Sequence, residues 1–306
     1  MYLSHFGLSE PPFTLTPDTS FYFACSAYQE AMNTLMVAAM QGEGFIKITG
    51  EVGNGKTMLC RKFLANLADA NQKQDNQHGF VTAFLPNPYL EPRSLLLALA
   101  EEFHASVDAQ QEQHEILKQL TRVLLEFARE GKRVIVCLDE AQAMPLESLE
   151  VLRLLTNLET EKRKLMQVVL FGQPELDERL KQNSVRQLRQ RISFQYHLKG
   201  LHRDELDRYL RYRLGVSGYT GETLFSTGAV ARLHRVTGGT PRLVNIIASK
   251  AMMLAYGEGR KQVTSRHIGK AAADTPESRT DWHKWLWSAF ALLLGAELVI
   301  SWMVMK

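Results

Sequence analysis

The sequence has few cysteines and no dominant sign of charge. Its 306 residues include only three cysteines, Cys25, Cys60 and Cys137, which are far apart and outside any CxxC or Cys/His spacing. This pattern excludes a disulfide scaffold and a cysteine metal site, and it indicates a reducing compartment. With 45% apolar and 23% charged residues and a net charge of +3, the chain is not a disordered tail protein. It is long enough for two domains and a sizeable core.

Long apolar runs are also missing from most of the chain. The mean hydropathy of −0.19 excludes a polytopic membrane protein but not one apolar segment. The N-terminus lacks a basic stretch followed by an apolar one, so we do not expect a secretory signal. Charge is unevenly divided: residues 1–200 hold 21 basic and 24 acidic groups, whereas residues 201–273 hold 12 and 5. The small net charge therefore conceals a basic second unit.

Short β-branched runs alternate with helical patterns through the first 200 residues, which predicts an α/β domain with a largely parallel sheet. The predicted strands are Phe45–Thr49, Phe80–Leu85, Val134–Leu138, Gln167–Phe171 and Ile192–His197. The predicted helices between them are Thr57–Ala70, Arg93–Phe103, Glu112–Glu130, Leu146–Glu159 and Glu175–Asn183. After residue 200 only helical patterns remain: Arg203–Gly215, Gly228–Val236, Pro241–Tyr256 and Ser265–Ala273. We place a domain boundary near residue 200.

A phosphate-binding motif follows the first predicted strand. Its residues are Gly50, Glu51, Val52, Gly53, Asn54, Gly55, Lys56 and Thr57, and they match GxxxxGK[ST] between a strand and a helix. The glycines let successive backbone N–H groups face an anion at the start of the helix. Lys56 would reach the β- and γ-phosphates, and the Thr57 hydroxyl would bind Mg²⁺. We expect residues 50–58, including Met58, to bind nucleotide; a glycine-rich turn before an unrelated surface lysine is the alternative.

Two acidic residues, Asp139 and Glu140, directly follow a continuous apolar run, Val134–Leu138. Carboxylates at the C-terminal end of a buried parallel strand face the ligand crevice. Asp139 suits Mg²⁺ binding, and Glu140 suits orienting and deprotonating a water. A solvated acid at a strand end is the alternative for Glu140. A water-activating carboxylate favours hydrolysis over transfer to another substrate.

Further polar residues extend the predicted site. Gln173 follows the fourth strand, where it could sense the γ-phosphate or hold the attacking water. Arg186, Arg189 and Arg191 precede the last strand. One of them could stabilise the transition state in a neighbouring subunit, although arginines in such a segment are often solvated.

Together these motifs resemble those of the AAA+ ATPases, and more narrowly the ExeA/GspA-like branch of general secretion and type IV pilus machinery. The matching segments span about residues 1–273; they are the phosphate loop, Phe6–Leu8, Pro11–Phe13, Pro17–Asp18, Tyr28–Ala31, Asp139–Gln142, Gly172–Leu176, Leu188–Ile192, Gly238–Arg242 and Asn245. The resemblance implies a P-loop NTPase core (residues 1–200, with an N-terminal linker segment) followed by a small helical lid (residues 201–273).

The resemblance also assigns roles to single residues. The strand before Gln173 lies between the phosphate-loop strand and the Asp139 strand, which makes Gln173 the sensor 1 residue. Arg189 or Arg191 becomes the arginine finger, and Arg242 becomes sensor 2, directed at the γ-phosphate. Residues 2–12 would lie near the nucleotide base. The implied ligands are ATP and Mg²⁺, and the implied assembly is a homo-oligomer.

One long apolar segment is present near the end. After a polar linker, residues 274–284, the segment Trp285–Met305 has 21 positions and one charged residue, Glu297. As a helix it would be about 30 Å long, enough to cross a bilayer. Nine large apolar residues contribute about −3 to −5 kcal/mol to insertion, against about +3 kcal/mol for the acid. The sequence therefore predicts a C-terminal transmembrane helix, with a surface-lying or lid-packed amphipathic helix as the alternatives.

The flanking charges predict the orientation of that helix. Arg279 and Lys284 before it, against Lys306 after it, favour a single-pass inner-membrane protein with its ATPase domain on the cytoplasmic side. Glu297 would then contact a pilus or secretion assembly component. Family members often continue into a peptidoglycan-binding region, but this sequence ends at Lys306. We therefore do not expect cell-wall binding by this chain.

Three functions fit these features. The first is an ATP-hydrolysing assembly factor at the inner membrane. The second is a DNA-associated helper ATPase of the transposition type, because the basic lid could meet phosphates. The third is a scaffold that binds ATP with little turnover. The membrane segment favours the first, since anionic lipids also attract basic surfaces.

Overall fold

A five-stranded parallel sheet forms the centre of one of two compact units in the computed structural model, which describes residues 2–16, 18–73, 79–159 and 163–278. The strands are β1 (Phe45–Thr49), β2 (Phe80–Leu85), β3 (Arg133–Leu138), β4 (Met166–Gly172) and β5 (Ile192–His197). They pair in the order β2-β3-β4-β1-β5, all in parallel. The predicted position of the strand before Gln173, between the phosphate-loop strand and the Asp139 strand, is confirmed.

Burial of the strands follows their place in the sheet. Every residue of β1 and β4 is buried, as is all of β3 after its first residue, whereas the edge strand β5 alternates between half-buried and exposed residues. Central strands of a parallel sheet are covered on both faces and so read as continuous apolar runs. This explains why the sequence located these strands to within a residue.

Seven helices belong to this α/β unit, which comprises the described residues of 16–201 together with 240–242. They are α2 (Ser26–Gln41), α3 (Lys56–Lys73), α4 (Pro92–Glu102), α5 (Gln113–Arg129), α6 (Leu146–Thr156), α7 (Glu175–Leu180) and α8 (Arg186–Arg189). Helix α2 was not among our predicted helices. Helix α6 ends at Thr156 rather than Glu159, and α7 ends at Leu180 rather than Asn183.

Alternate residues of the central strands face different helices. Val134, Val136 and Leu138 of β3 join the large apolar core that contains α4, α5 and α6. Cys137, on the opposite face, has a free thiol that is hydrogen-bonded to the free thiol of Cys60 of α3. The sheet thus has helices on both faces, and the carboxyl ends of its strands are left for the loops that carry the predicted site.

The second unit is helical and comprises the described residues of 1–15, 202–239 and 243–306. Its helices are α1 (Tyr2–Phe6), α9 (Arg203–Val216), α10 (Thr227–Thr237), α11 (Pro241–Gly257) and α12 (Ser265–Ala273), of which α11 has its first two residues in the α/β unit. Ser226 caps α10 by accepting a bond from Ala229 N, and Gly238 ends it in the left-handed region at φ 59°.

The N-terminal segment lies in the helical unit, which differs from our placement of residues 1–200 in one domain. Phe13 is buried with its ring edge-on to Phe225, at 5.9 Å between centroids. The buried guanidinium of Arg213 donates from Nε to the Pro12 carbonyl oxygen at 2.5 Å. Ser9 N donates to Ser217 O at 2.9 Å. Apolar burial and these bonds hold the segment to α9 and its neighbours.

The end of the described chain also differs from the predicted linker. Ser278 is buried in a short 3₁₀ turn, Pro276–Ser278, and Thr275, directly before the turn, is also buried. Lys250 Nζ donates to the Asp274 carboxylate at 2.7 Å. Residues 274–278 are therefore folded onto the helical unit. The predicted membrane helix, residues 285–305, lies outside the described residues. Within those residues, no helix combines the length and the hydropathy needed to cross a membrane.

Candidate functional site

The predicted phosphate loop connects β1 to α3 at the carboxyl edge of the sheet. Gly53 and Gly55 both have φ of 81°, a conformation that other residues rarely adopt. A Cβ atom at Gly55 would lie 1.7 Å from the hydroxyl oxygen of Tyr28. That hydroxyl donates to the Asn54 carbonyl oxygen at 2.6 Å. Tyr28 of α2 therefore supports the outside of the loop at a point where only glycine fits.

Arg242 lies beside the same loop. Its backbone N donates to the Gly53 carbonyl oxygen at 3.2 Å. A Cβ atom at Gly53 would be 2.5 Å from the Cβ of Arg242. The Arg242 side chain is exposed. The structure thus brings this predicted sensor residue to the phosphate loop through close backbone packing.

Lys56 is buried at the start of α3. Its ammonium donates to the carbonyl oxygens of Gly50 at 2.7 Å and Glu51 at 3.0 Å. Burial lowers the pKa of Lys56, while nearby carboxylates, including Glu140 and Asp139, act in the opposite direction. The ammonium thus lies against its own loop, where charged phosphate oxygens would be stronger acceptors than carbonyls.

Thr57 and Asp139 form the predicted metal site. The Thr57 hydroxyl donates to Asp139 Oδ2 at 2.5 Å. Asp139 is 3% exposed. Burial raises the pKa of Asp139, opposed by the Thr57 hydroxyl and by the bond from Glu140 N to Oδ1. A hydroxyl and a carboxylate oxygen are hard donors of the kind that Mg²⁺ prefers, and Mg²⁺ commonly completes its shell with phosphate oxygens and water. The residues present therefore fit Mg²⁺.

Glu140 follows directly and has a strained backbone. Its φ of 53° and ψ of 37° are in the left-handed region, although it is not glycine. Its Oε2 accepts bonds from Gln142 Nε2 at 2.5 Å and Gln173 Nε2 at 3.0 Å. Non-glycine residues in this conformation cluster at functional sites. The structure therefore brings the two predicted site residues Glu140 and Gln173 into contact, and it adds Gln142.

Residues 39–180 match the family model described as "AAA domain". The match covers the phosphate loop, Asp139, Glu140 and Gln173, and the geometry above brings these residues to one edge of the sheet. This part of the chain is therefore similar to the AAA domains.

A curated relative is similar over almost the whole chain. General secretion pathway protein A of Aeromonas hydrophila is 39% identical over 301 residues, which is 98% of this chain and 53% of that protein. The chain therefore spans about half the length of the relative it matches.

Solved structures share the fold of most of this chain at low identity. The Aeropyrum pernix ORC2 protein, in ADPNP–ADP complexes, superposes with a TM-score of 0.57 at 17% identity, covering 84% of this chain and 69% of that one. Drosophila ORC bound to DNA gives a TM-score of 0.63 at 19% identity, covering 87% and 66%. These likenesses concern the fold alone.

The other residues predicted for the site make fewer contacts with the phosphate loop and the acidic pair. Arg186 and Arg189 are exposed on α8 and Arg191 is half-buried before β5. Among the described residues, no hydrogen bond or ion pair joins these arginines to the phosphate loop. Val52 of the loop is 53% exposed. Met58 is half-buried in the first turn of α3.

Sequence reasoning missed the roles of Tyr28 and Gln142. Both residues are in segments that carry the family resemblance, but neither was assigned to the site. Tyr28 contacts the loop from a helix 26 positions earlier in the chain, and Gln142 contacts the end of β4. The signal for Gln142 was an amide two residues after the acidic pair. The family resemblance already placed β4 next to β3, but it did not show that the Gln142 side chain reaches the end of β4.

Proposed function

We propose that this protein binds ATP with Mg²⁺ and hydrolyses it. The observation that carries the proposal is the arrangement of Thr57, Asp139 and Glu140 at the carboxyl edge of the sheet, with Lys56 at the base of the loop. The fold match to a protein solved with ADPNP and ADP supports the choice of ligand.

Each residue has a task that its position allows. The backbone N–H groups of the loop and the Lys56 ammonium hold the phosphates, as in other P-loop proteins. The Thr57 hydroxyl and Asp139 would hold Mg²⁺, which neutralises charge on the phosphate oxygens when bound. Glu140 accepts a proton from the attacking water. Gln173 holds Glu140 and lies where the γ-phosphate end of the site would be.

Arginines complete the proposed site. Arg242, next to Gly53, contributes positive charge from the side of the loop. The exposed Arg189 or the half-buried Arg191 acts in a neighbouring copy of the chain, so the active form is a homo-oligomer. Sedimentation of the Glu140→Gln protein with and without ATP tests this: we expect ATP to shift it to larger species, and a monomer under both conditions would contradict a trans-acting arginine.

Phosphate release from the purified chain tests hydrolysis. We expect Glu140→Gln to reduce release about 100-fold or more while ATP binding persists, because the base is lost but the phosphate contacts remain. Lys56→Ala should abolish binding. Glu147→Gln, an exposed acid on α6, is the matched control and should behave as the parent. Undetectable hydrolysis by the parent, with membrane partners present, would instead favour a nucleotide-gated scaffold.

We further propose that the protein is tethered to the inner membrane and supports assembly of a pilus or secretion complex. The similarity to general secretion pathway protein A supports a role beside secretion machinery. We propose a role like that of MshM, a component of mannose-sensitive haemagglutinin pilus biogenesis, so that the assembly would be a type IV pilus. Residues 285–305 would supply the tether, and Glu297 a contact to a partner helix.

Membrane fractionation tests the tether. The full-length chain should sediment with membranes and a chain lacking residues 281–306 should not, because the apolar segment is then gone. Glu297→Leu should keep the protein in the membrane but weaken co-purification of its partner. A fully soluble full-length protein that binds DNA would favour the rival helper ATPase, for which the net charge of +7 in residues 201–273 would be the binding surface.

A further inference from the structure

The side-chain amide of Gln142 connects the turn after β3 to the end of β4. Its Nε2 donates to Glu140 Oε2 at 2.5 Å, and its Oε1 accepts from Gln173 N at 3.0 Å. We propose that Gln142 is a positioning residue, which holds the Glu140 carboxylate against the end of β4 in the orientation that hydrolysis requires. This role rests on the proposed ATPase function.

The orientation of the amide follows from its partners. A backbone N–H can only donate, so the atom of Gln142 that faces Gln173 N is the acceptor oxygen. The NH₂ group is thereby directed at Glu140, whose ionised carboxylate can only accept. The network thus leaves one amide orientation, and in that orientation Gln142 supplies a charge-assisted hydrogen bond to the carboxylate.

The backbone at Glu140 explains why such a support is needed. A non-glycine residue in the left-handed region costs about 1–2 kcal/mol. Such a conformation persists only when its surroundings hold it. Here Ala143 N donates to Glu140 O at 2.9 Å, closing the turn, and Gln142 holds the side chain. The turn after β3 and the end of β4 are thereby fixed to each other.

Gly172 leaves room for this contact. A Cβ atom at Gly172 would be 3.2 Å from Gln142 Oε1 and 2.8 Å from Leu176 Cδ2. Its φ is not in the left-handed region, so close approach accounts for the glycine. The end of β4 is therefore shaped to accept the Gln142 amide.

Both amide groups contact the same oxygen of the carboxylate. Gln142 and Gln173 each donate to Oε2, so Oε1 is the oxygen that receives the proton of the attacking water. With Oε2 held from two sides, the carboxylate cannot rotate without breaking two hydrogen bonds. A displacement of about 1 Å in such a group can lower a rate about 100-fold.

Gln142→Met tests the role, because methionine keeps the length of the side chain and removes both hydrogen bonds. We expect kcat for phosphate release to fall about 10- to 100-fold, with unchanged affinity for a fluorescent ATP analogue and with the protein still folded at the assay temperature. Gln142→Glu keeps the acceptor for Gln173 N and loses the donor, so it should be equally slow. Gln182→Met, at an exposed glutamine after α7, is the control and should match the parent.

A double mutant separates positioning from a general structural effect. In a Glu140→Gln background, Gln142→Met should lower kcat no further, because there is no carboxylate left to orient. A further drop of the same size would contradict the proposal. So would a Gln142→Met protein as fast as the parent, in which case the ATPase function stands and the positioning role does not. A parent that binds ATP but never hydrolyses it would overturn both.

Discussion

At the scale of single residues, Asp139 must be ionised to bind Mg²⁺, yet its burial disfavours the ionised form. Burial raises its pKa above the ordinary 3.8, so the folded state holds this proton more tightly than the unfolded state. Stability is therefore lost as the pH rises through the interval above 3.8, up to the pKa of the folded state. We predict that Asp139→Asn raises the free energy of unfolding at neutral pH, because the amide carries no charge that burial would disfavour, while Mg²⁺-dependent phosphate release is lost.

Urea unfolding of the nucleotide-free protein, from about pH 4 to about pH 7, measures this effect. The stability difference between Asp139→Asn and the parent should grow as the pH rises. Asp69→Asn, at an exposed position of α3, is the matched control and should show no such trend. A variant that is less stable than the parent at neutral pH would contradict the interpretation.

Tyr28 carries a second prediction at this scale. Tyr28→Phe leaves the Asn54 carbonyl without its donor and should cost about 1–2 kcal/mol of stability. Because that carbonyl belongs to the phosphate loop, ATP affinity should also fall several-fold. Tyr89→Phe, at a tyrosine that is 74% exposed, should change neither. Isothermal titration with ATP distinguishes the two variants; equal affinities would mean that Tyr28 does not support the loop.

A functional residue could be predicted from the sequence when a short local pattern identifies it. Lys56, Asp139 and Glu140 were found from sequence because a short motif, or the end of an apolar run, places each one. The contacts of Tyr28 and Gln142 depend on which strands and helices are neighbours. The family resemblance supplied the position of β4 in the sheet, but a single sequence does not record which side chains meet across neighbouring elements.

At the scale of elements, two glycines with the same φ allow the cost of backbone strain to be measured separately from the cost of a steric clash. Gly42, which ends α2, and Gly55, in the phosphate loop, both have φ of 81°. A Cβ atom at Gly42 would meet nothing within 4 Å, whereas one at Gly55 would overlap Tyr28. Gly42→Ala should cost about 1 kcal/mol of stability and leave ATP binding intact. Gly55→Ala should cost more and abolish binding.

Chemical denaturation and ATP titration of both variants test this comparison. The left-handed strain is common to the pair, so any excess effect of Gly55→Ala reports the contact between loop and helix. Normal ATP binding by Gly55→Ala would contradict the view that Tyr28 and Gly55 are packed as described.

The same elements show what the sequence could and could not predict. Strands β1, β3 and β4 were located accurately because burial on both faces leaves an unbroken apolar run. Helix α2 was missed because much of its buried face is small, as at Ala31 and Ala38, while the apolar Val37 and Met40 are exposed. A weak contrast between the two faces gives little periodicity to detect.

At the scale of the whole molecule, each of the two compact units is built from segments that are not continuous in sequence. Residues 2–15 belong to the helical unit although they precede the α/β unit in sequence, and residues 240–242 belong to the α/β unit although helices surround them in sequence. Composition along the sequence located the boundary near residue 200. It could not assign the N-terminal segment, because the bonds from Arg213 and Ser9 that hold it join residues about 200 positions apart.

This assignment predicts that the N-terminal segment stabilises the helical unit. Phe13 is 5% exposed and contacts Phe225, whereas Leu15, two residues later, is 55% exposed. Phe13→Ala should remove about 3 kcal/mol of stability from the helical unit. Amide hydrogen exchange should then accelerate in α9, α10 and α12, while strands β1, β3 and β4 keep their protection. Leu15→Ala should leave exchange unchanged throughout. Faster exchange in the β-strands but not in α9–α12 would show that the segment supports the α/β unit instead.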